Sequence, residues 1–142
     1  MQIIAEHNAA MARETEGIEL DFDTVSRGVG EVLRNPGRGM YLLAEIDGRP
    51  VGQAMITFEW SDWRCADFWW LQSVYVRPEA RRKGVFSTIF REVEKLAMEQ
   101  GACGLRLYVF GENRRARSTY EALGMTLSHY VMYERSFDGG KP

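Results

Sequence analysis

Between Val74 and Ser87 the chain passes from an apolar strand into an amphipathic helix through Arg77-Pro78-Glu79-Ala80-Arg81-Arg82-Lys83-Gly84. Pro78 stops the β-rich segment. Val85, Phe86, Ile89, Phe90, Val93, Leu96 and Ala97 then recur at helical spacing as one apolar stripe, with Arg91, Glu92, Glu94, Lys95 and Glu99 on the other face. A strand feeding such a helix requires a layered α/β arrangement, because the stripe must be buried against the strand's own sheet. The junction also carries an electrostatic oddity. A helix start presents unpaired N–H groups and the positive end of the macrodipole, where cations are disfavoured. Arg81, Arg82 and Lys83 make sense there if an anion sits among them, and Gly84 lets backbone approach it closely. The usual anion is a phosphate.

The 142 residues suit one domain with a proper core, and 45% hydrophobic with 12% aromatic content marks a globular chain. A formal net charge of −2 is too balanced for nucleic acid or a membrane surface as bulk partner. Cys65 and Cys103 match no metal spacing and read as reduced, buried thiols, which fits a cytoplasmic setting. Neither a membrane-length apolar run nor a signal peptide is visible.

The remaining elements alternate without a linker. A helix is expected over about 4–16, ending at Gly17. Asp23 is the expected cap of a second helix carrying Val25, Val29, Val32 and Leu33 on one face, closed by Asn35-Pro36-Gly37. Strands are expected at 40–46 and 51–60 around an Asp47-Gly48 hairpin turn, then at 68–76. After the helix that starts at Val85 and ends at Gly101 come a strand at 105–110, a short helix from Asn113 through Leu123, and a last strand at 126–136. The order is ααβββαβαβ, an α/β (α+β) single domain over 1–137 with a central mixed sheet and helices on both faces, followed by a loose tail at 138–142.

Two further clusters stand out. In Asn113-Arg114-Arg115-Ala116-Arg117-Ser118-Thr119-Tyr120, three arginines again crowd a helix start, and Ala116, Tyr120 and Leu123 share one face. Tyr120 brings to the sheet a phenol able to protonate a leaving thiolate. Trp60, Trp63, Trp69 and Trp70 lie within eleven residues beside Glu59, Asp62 and Asp67, more aromatic surface than one hairpin needs. A Walker-type phosphate loop and a three-glycine dinucleotide fingerprint are both absent.

The second half of the chain resembles the GNAT superfamily of acyl-CoA-dependent N-acetyltransferases. Arg81-Arg82-Lys83-Gly84-Val85-Phe86 fits the family's pyrophosphate signature except at Phe86, which replaces a small residue. Asn113, Ala116, Tyr120 and Leu123-Gly124-Met125 fit its second signature. The resemblance covers about 51–135. It implies acetyl-CoA as cosubstrate without a metal, lying in a V-shaped opening between the strands at 68–76 and 105–110. The main chain of Val74, Tyr75 and Val76 would bind the pantetheine. Backbone N–H groups from Arg82 through Gly84 and Val85 to Phe86 would hold the pyrophosphate, with charge from Arg81, Arg82 and Lys83. An N–H near Val74 would polarise the thioester carbonyl, Tyr120 would protonate the departing thiolate, and Asn113 would help orient the cofactor.

The implied reaction is acetyl transfer to a primary amine by direct attack in a ternary complex. Trp70 occupies the position where some family members carry a carboxylate, and Gln72 can hold only a water. Glu59 is the candidate base, with deprotonation through water or from bulk as its rival. Trp60, Trp63, Trp70 and Gln72 are the candidate acceptor contacts. Glu14, Glu16, Glu19, Asp21 and Asp23 read either as a groove for a cationic small-molecule or peptide amine or as a solvated face. The family's first strand is short or absent here, and an open sheet edge would favour a homodimer. Two other classes stay open. One is a catalytically inactive acyl-CoA-binding sensor on the same fold. The other is a basic nucleic-acid module, against which the balanced charge and the absence of aromatics interleaved with the arginines both argue.

Overall fold

A computed structural model describes residues 1–137, and the tail expected at 138–142 lies outside them. The chain divides into two units, one of residues Met1–Tyr108 and a second beginning at Val109. In the first, α1 (Gln2–Glu16) and α2 (Phe22–Arg34) precede β1 (Met40–Ile46), β2 (Arg49–Ser61) and β3 (Ala66–Val76). A 3₁₀ turn at Pro78–Ala80 leads to α3 (Val85–Glu99) and β4 (Gly104–Leu107). The second unit contains α4 (Arg114–Ala122).

The sheet order is β1-β2-β3-β4, antiparallel except for the parallel β3–β4 pair. Asp47 and Gly48 both take left-handed φ values, 52° and 72°, as a two-residue hairpin turn requires. Side chains of successive β2 residues point to opposite faces. A Cβ on Gly52 would lie 2.9 Å from Val85 Cγ1, so α3 covers that face closely. Gln53, next in line, bonds to His7 and Asn8 of α1, which covers the other. Helices therefore flank both faces of a mixed sheet, as expected.

Apolar burial holds each layer. Val85, Ile89, Phe90, Val93 and Ala97 of α3 are buried, as are Ala54, Ile56, Trp69 and Leu71 of the sheet. On the opposite side Ile4, Ala5 and Val29 form the centre of a cluster with Ile3, Val25 and Tyr41 packed around it. Each large buried aliphatic or aromatic side chain contributes about 2 kcal/mol.

Several expectations change. Asp21, not Asp23, caps α2: its carboxylate accepts from the Thr24 amide at 3.1 Å and from the Thr24 hydroxyl. These bonds hold the Asp21 carboxyl below its ordinary pKa. Leu33, expected on the apolar face, is exposed. β4 ends at Leu107, three residues short. The strand expected at 126–136 does not form among the described residues. Its apolar residues Leu127, Tyr130, Val131 and Tyr133 are all exposed, and alternation without a pairing neighbour makes no ladder. No strand precedes α1 among the described residues.

Gly39 bears directly on how β1 docks. Its φ is 148°, and a Cβ there would come within 2.2 Å of the Ile56 carbonyl oxygen. Because the obstacle is backbone, Gly39→Ala is expected to destabilise the fold by about 3 kcal/mol. For a chain of this size that lowers Tm by on the order of 10 °C in a thermal melt; a shift below about 2 °C would contradict the packing described.

Candidate active site

The β3–α3 junction places a left-handed turn directly at the start of α3. Arg82 (φ 60°) and Gly84 (φ 78°) take left-handed conformations on either side of Lys83. Gly84 is the N-cap of α3, and no side chain caps this helix. Arg82 and Lys83 are exposed at its mouth. Arg81 behaves differently. Its Nε donates to the Val76 carbonyl at 2.8 Å, its Nη2 pairs with Glu14 of α1, and its guanidinium lies 5.7 Å from the Tyr75 ring centre. Arg81 thus ties the junction to α1, leaving Arg82 and Lys83 as the cations at the helix start. Phe86 packs along its own helix toward Phe90, ring centres 6.2 Å apart.

β3 leaves part of one edge without a strand partner among the described residues. It pairs with β4 only from Phe68 to Leu71. From Gln72 to Val76 that edge has no β4 partner, and this stretch includes Val74, Tyr75 and Val76. On the β2 side the register slips: Gln53 pairs with Tyr75 and Met55 with Gln72, so Ser73 and Val74 together face Ala54. This β-bulge bends the strand and re-aims its backbone groups. Ser73 carries the distortion with a φ of 47°.

The sheet face that bears Gln53 continues beyond the bulge as an aromatic and charged surface. Trp70 Nε1 donates to Glu59, and Arg106 Nη1 reaches both Glu59 carboxylate oxygens at 3.0 Å. Arg106 stacks over Phe68 at 3.6 Å, and Tyr108 meets Trp70 with ring centres 4.5 Å apart. Gln72 Nε2 donates to Thr57 Oγ1 at 2.6 Å on the same face. The Trp70 bond, reinforced by Arg106, lowers the Glu59 pKa. Sequence reasoning singled out Glu59, Trp70 and Gln72 but missed Arg106 and Tyr108. Arg106, a lone charge among the apolar residues of a short strand, was the available signal.

Trp60 and Trp63 do not join this surface. Trp60 alternates to the α3 face, where Phe58, Trp69, Asp67 and Gln100 help line a cavity of about 310 Å³. Trp63, in the β2–β3 turn, is 87% exposed. Cys65 is exposed rather than buried, because the same turn carries it, while Cys103 is half-buried. Of the acidic residues near the N-terminus, Glu14 binds Arg81 and the Tyr75 hydroxyl, Glu19 pairs with Arg13, and Asp21 caps α2. Three of the five are thus committed within the protein. Among the described residues no acid, histidine and cysteine cluster could hold a metal, and no helix is long and apolar enough to cross a membrane.

In the second unit, Asn113 caps α4 as expected, its Oδ1 accepting from the Ala116 amide at 3.0 Å. Tyr120 lies mid-helix and half-buried, and burial raises its phenol pKa above the ordinary value.

Comparison with known proteins identifies the family. Residues 4–125 match the model of the Acetyltransferase (GNAT) family. The chain is 36% identical over 107 residues to thialysine N-epsilon-acetyltransferase of Bos taurus, covering 66% of this chain and 62% of that protein. It thus spans about three fifths of the length of the curated relatives it matches most strongly. A crystal structure of a possible acetyltransferase from Clostridium difficile superposes with a TM-score of 0.88 at 43% identity, covering 94% of this chain and 89% of that one. The fold is also shared with AAC(6')-Iy, solved in complex with a bisubstrate analog, CoA-S-monomethyl-acetylneamine, at a TM-score of 0.75 and 20% identity. The match covers most of the chain and includes both the helix-start junction and the Asn113–Tyr120 helix: this protein belongs to the GNAT acetyltransferase family.

Proposed function

We propose that residues 1–137 form an N-acetyltransferase domain that moves an acetyl group from acetyl-CoA to a primary amine by direct attack within a ternary complex. The observation that carries this reading is the junction itself: a bulged strand with a free edge leading into an uncapped helix start flanked by Arg82 and Lys83. The pyrophosphate rests on the backbone from Arg82 to Phe86, and the pantetheine runs along the Val74–Val76 edge as an added strand would. With the thioester so placed, the Val74 N–H faces the charge that grows on the carbonyl oxygen. The amine nitrogen bonds to the carbonyl carbon, the C–S bond then breaks, and the thiolate takes the Tyr120 proton. The role of Tyr120 rests on the Asn113–Ala116–Tyr120 signature; its phenol is in the protonated form at neutral pH, as any tyrosine's is.

The acceptor meets the face carrying Trp70, Gln72, Phe68 and Tyr108. The thialysine-acetylating relatives support a lysine-like amine, whose alkyl stem suits aromatic walls and whose cation suits the nearby Glu59. Glu59 is a weak base, since its two donors stabilise the carboxylate. Deprotonation of the ammonium through water or bulk solvent, the rival considered from sequence, therefore carries the proton away. Glu59→Gln is expected to leave the shape of the pH profile of kcat/KM unchanged; loss of a low-pH limb would restore Glu59 as the base. β1 stands at an open sheet edge, which supports pairing of two copies.

Initial rates measured against both acetyl-CoA and a lysine-like amine test the reading. Intersecting double-reciprocal lines are expected for a ternary complex, and parallel lines would indicate an acetyl-enzyme instead. Acetyl-CoA binding without turnover over a broad amine panel would favour the sensor.

A further inference from the structure

β2 contains one amide in an otherwise apolar run. Gln53 is 0% exposed, and burying a primary amide is costly unless its donors and acceptor are all used. Its Nε2 donates to Asn8 Oδ1 at 2.7 Å and to the Ser73 carbonyl at 3.4 Å, while its Oε1 lies 3.1 Å from His7 Nδ1. Both amide protons are engaged, so Oε1 accepts, and the proton of the His7 ring resides on Nδ1. Asn8 is oriented in turn by a bond from its Nδ2 to the Tyr41 hydroxyl at 3.5 Å. His7 also packs on the Tyr75 ring, centres 5.1 Å apart.

This network ends on the bulge. Ser73 is a non-glycine residue at φ 47°, a conformation that L side chains disfavour and that needs support. The Ser73–Val74 peptide is trans, so its C=O and N–H point in opposite directions. Drawing the Ser73 carbonyl toward Gln53 therefore aims the Val74 N–H away from α1. We propose that Gln53, fixed by His7 and Asn8, is a positioning residue that locks the Ser73–Val74 peptide and so presents the Val74 N–H to the thioester oxygen. The catalytic consequence rests on the proposed acetyl transfer; the lock itself does not.

Gln53→Met keeps the side chain's length and removes its hydrogen bonds. The expected result is about a tenfold fall in kcat, less than the loss of a whole oxyanion donor, with the acetyl-CoA KM within about twofold. In amide NMR spectra of the same variant the Val74 resonance moves or broadens, while those of Ile56 and Leu71 stay in place. Adding Ser73→Gly, which accepts a positive φ without penalty, is expected to recover about threefold of the lost kcat. A residue that only filled space would lower Tm without this split or rescue. If Gln53→Met does not fold, Asn8→Ser loosens the same amide and gives smaller changes in the same direction. An unmoved Val74 resonance in the folded variant overturns the lock. A moved resonance with unchanged kcat overturns its catalytic role. A wild-type protein without turnover strikes the proposed function alone, because the NMR comparison still decides the lock.

Discussion

Replacing Tyr120 with Phe is expected to lower kcat for amine acetylation by about 100-fold, the usual scale for loss of a positioned proton donor, while the acetyl-CoA KM changes by less than about twofold. The substitution removes one oxygen and leaves the ring, so the packing of α4 persists. The pH dependence gives the sharper signature. A phenol donates only when protonated, and burial raises the Tyr120 pKa. If Tyr120 donates the proton, kcat is expected to fall only on the alkaline side, above the ordinary phenol range of about pH 10. In Tyr120→Phe that alkaline limb disappears. A variant with wild-type kcat, or one that retains the limb, would remove Tyr120 from the chemistry.

The second large effect concerns Gly84. Its φ of 78° belongs to the left-handed region, and it is the N-cap of α3. Valine disfavours that conformation by about 1–2 kcal/mol, so the turn shifts to another shape and its N–H groups no longer converge. Gly84→Val is expected to raise the acetyl-CoA KM by about 30-fold with a smaller change in kcat, the pattern of lost binding common to ground and transition states. Strain common to the free and bound protein lowers stability and not affinity, so the rise in KM measures the misdirected N–H groups. Because Arg82 and Lys83 remain, the salt dependence of binding persists. An unchanged KM in calorimetry-matched, folded protein would place the pyrophosphate elsewhere.

What could be read from sequence followed the range of the forces involved. The hairpin at Asp47-Gly48, the α3 stripe and the Asn113 cap are local: a turn residue, a period or a side chain three residues from its partner decides each one. The N-cap of α2 was misplaced because Asp21 and Asp23 have the same capping chemistry, and only the Thr24 bonds distinguish them. The strand at 126–136 failed for the opposite reason, since a ladder depends on a neighbour that sequence alternation does not supply. The site divides likewise. Arg82, Lys83 and Gly84 were legible as a strand-to-helix junction. The turning of Arg81 toward Glu14, 67 residues away, was not, nor was the Arg106–Glu59 pair that weakens the expected base. The bulge had no sequence signal, because a serine rather than a glycine carries the positive φ.

The central claim is tested most directly by supplying acetyl-CoA labelled in its acetyl group together with a lysine-like primary amine, and following free thiol and labelled product together. Direct transfer predicts one thiol released for each N-acetylated amine, with no label retained on the protein. Thiol release without labelled amine, or label trapped on the chain, would contradict it.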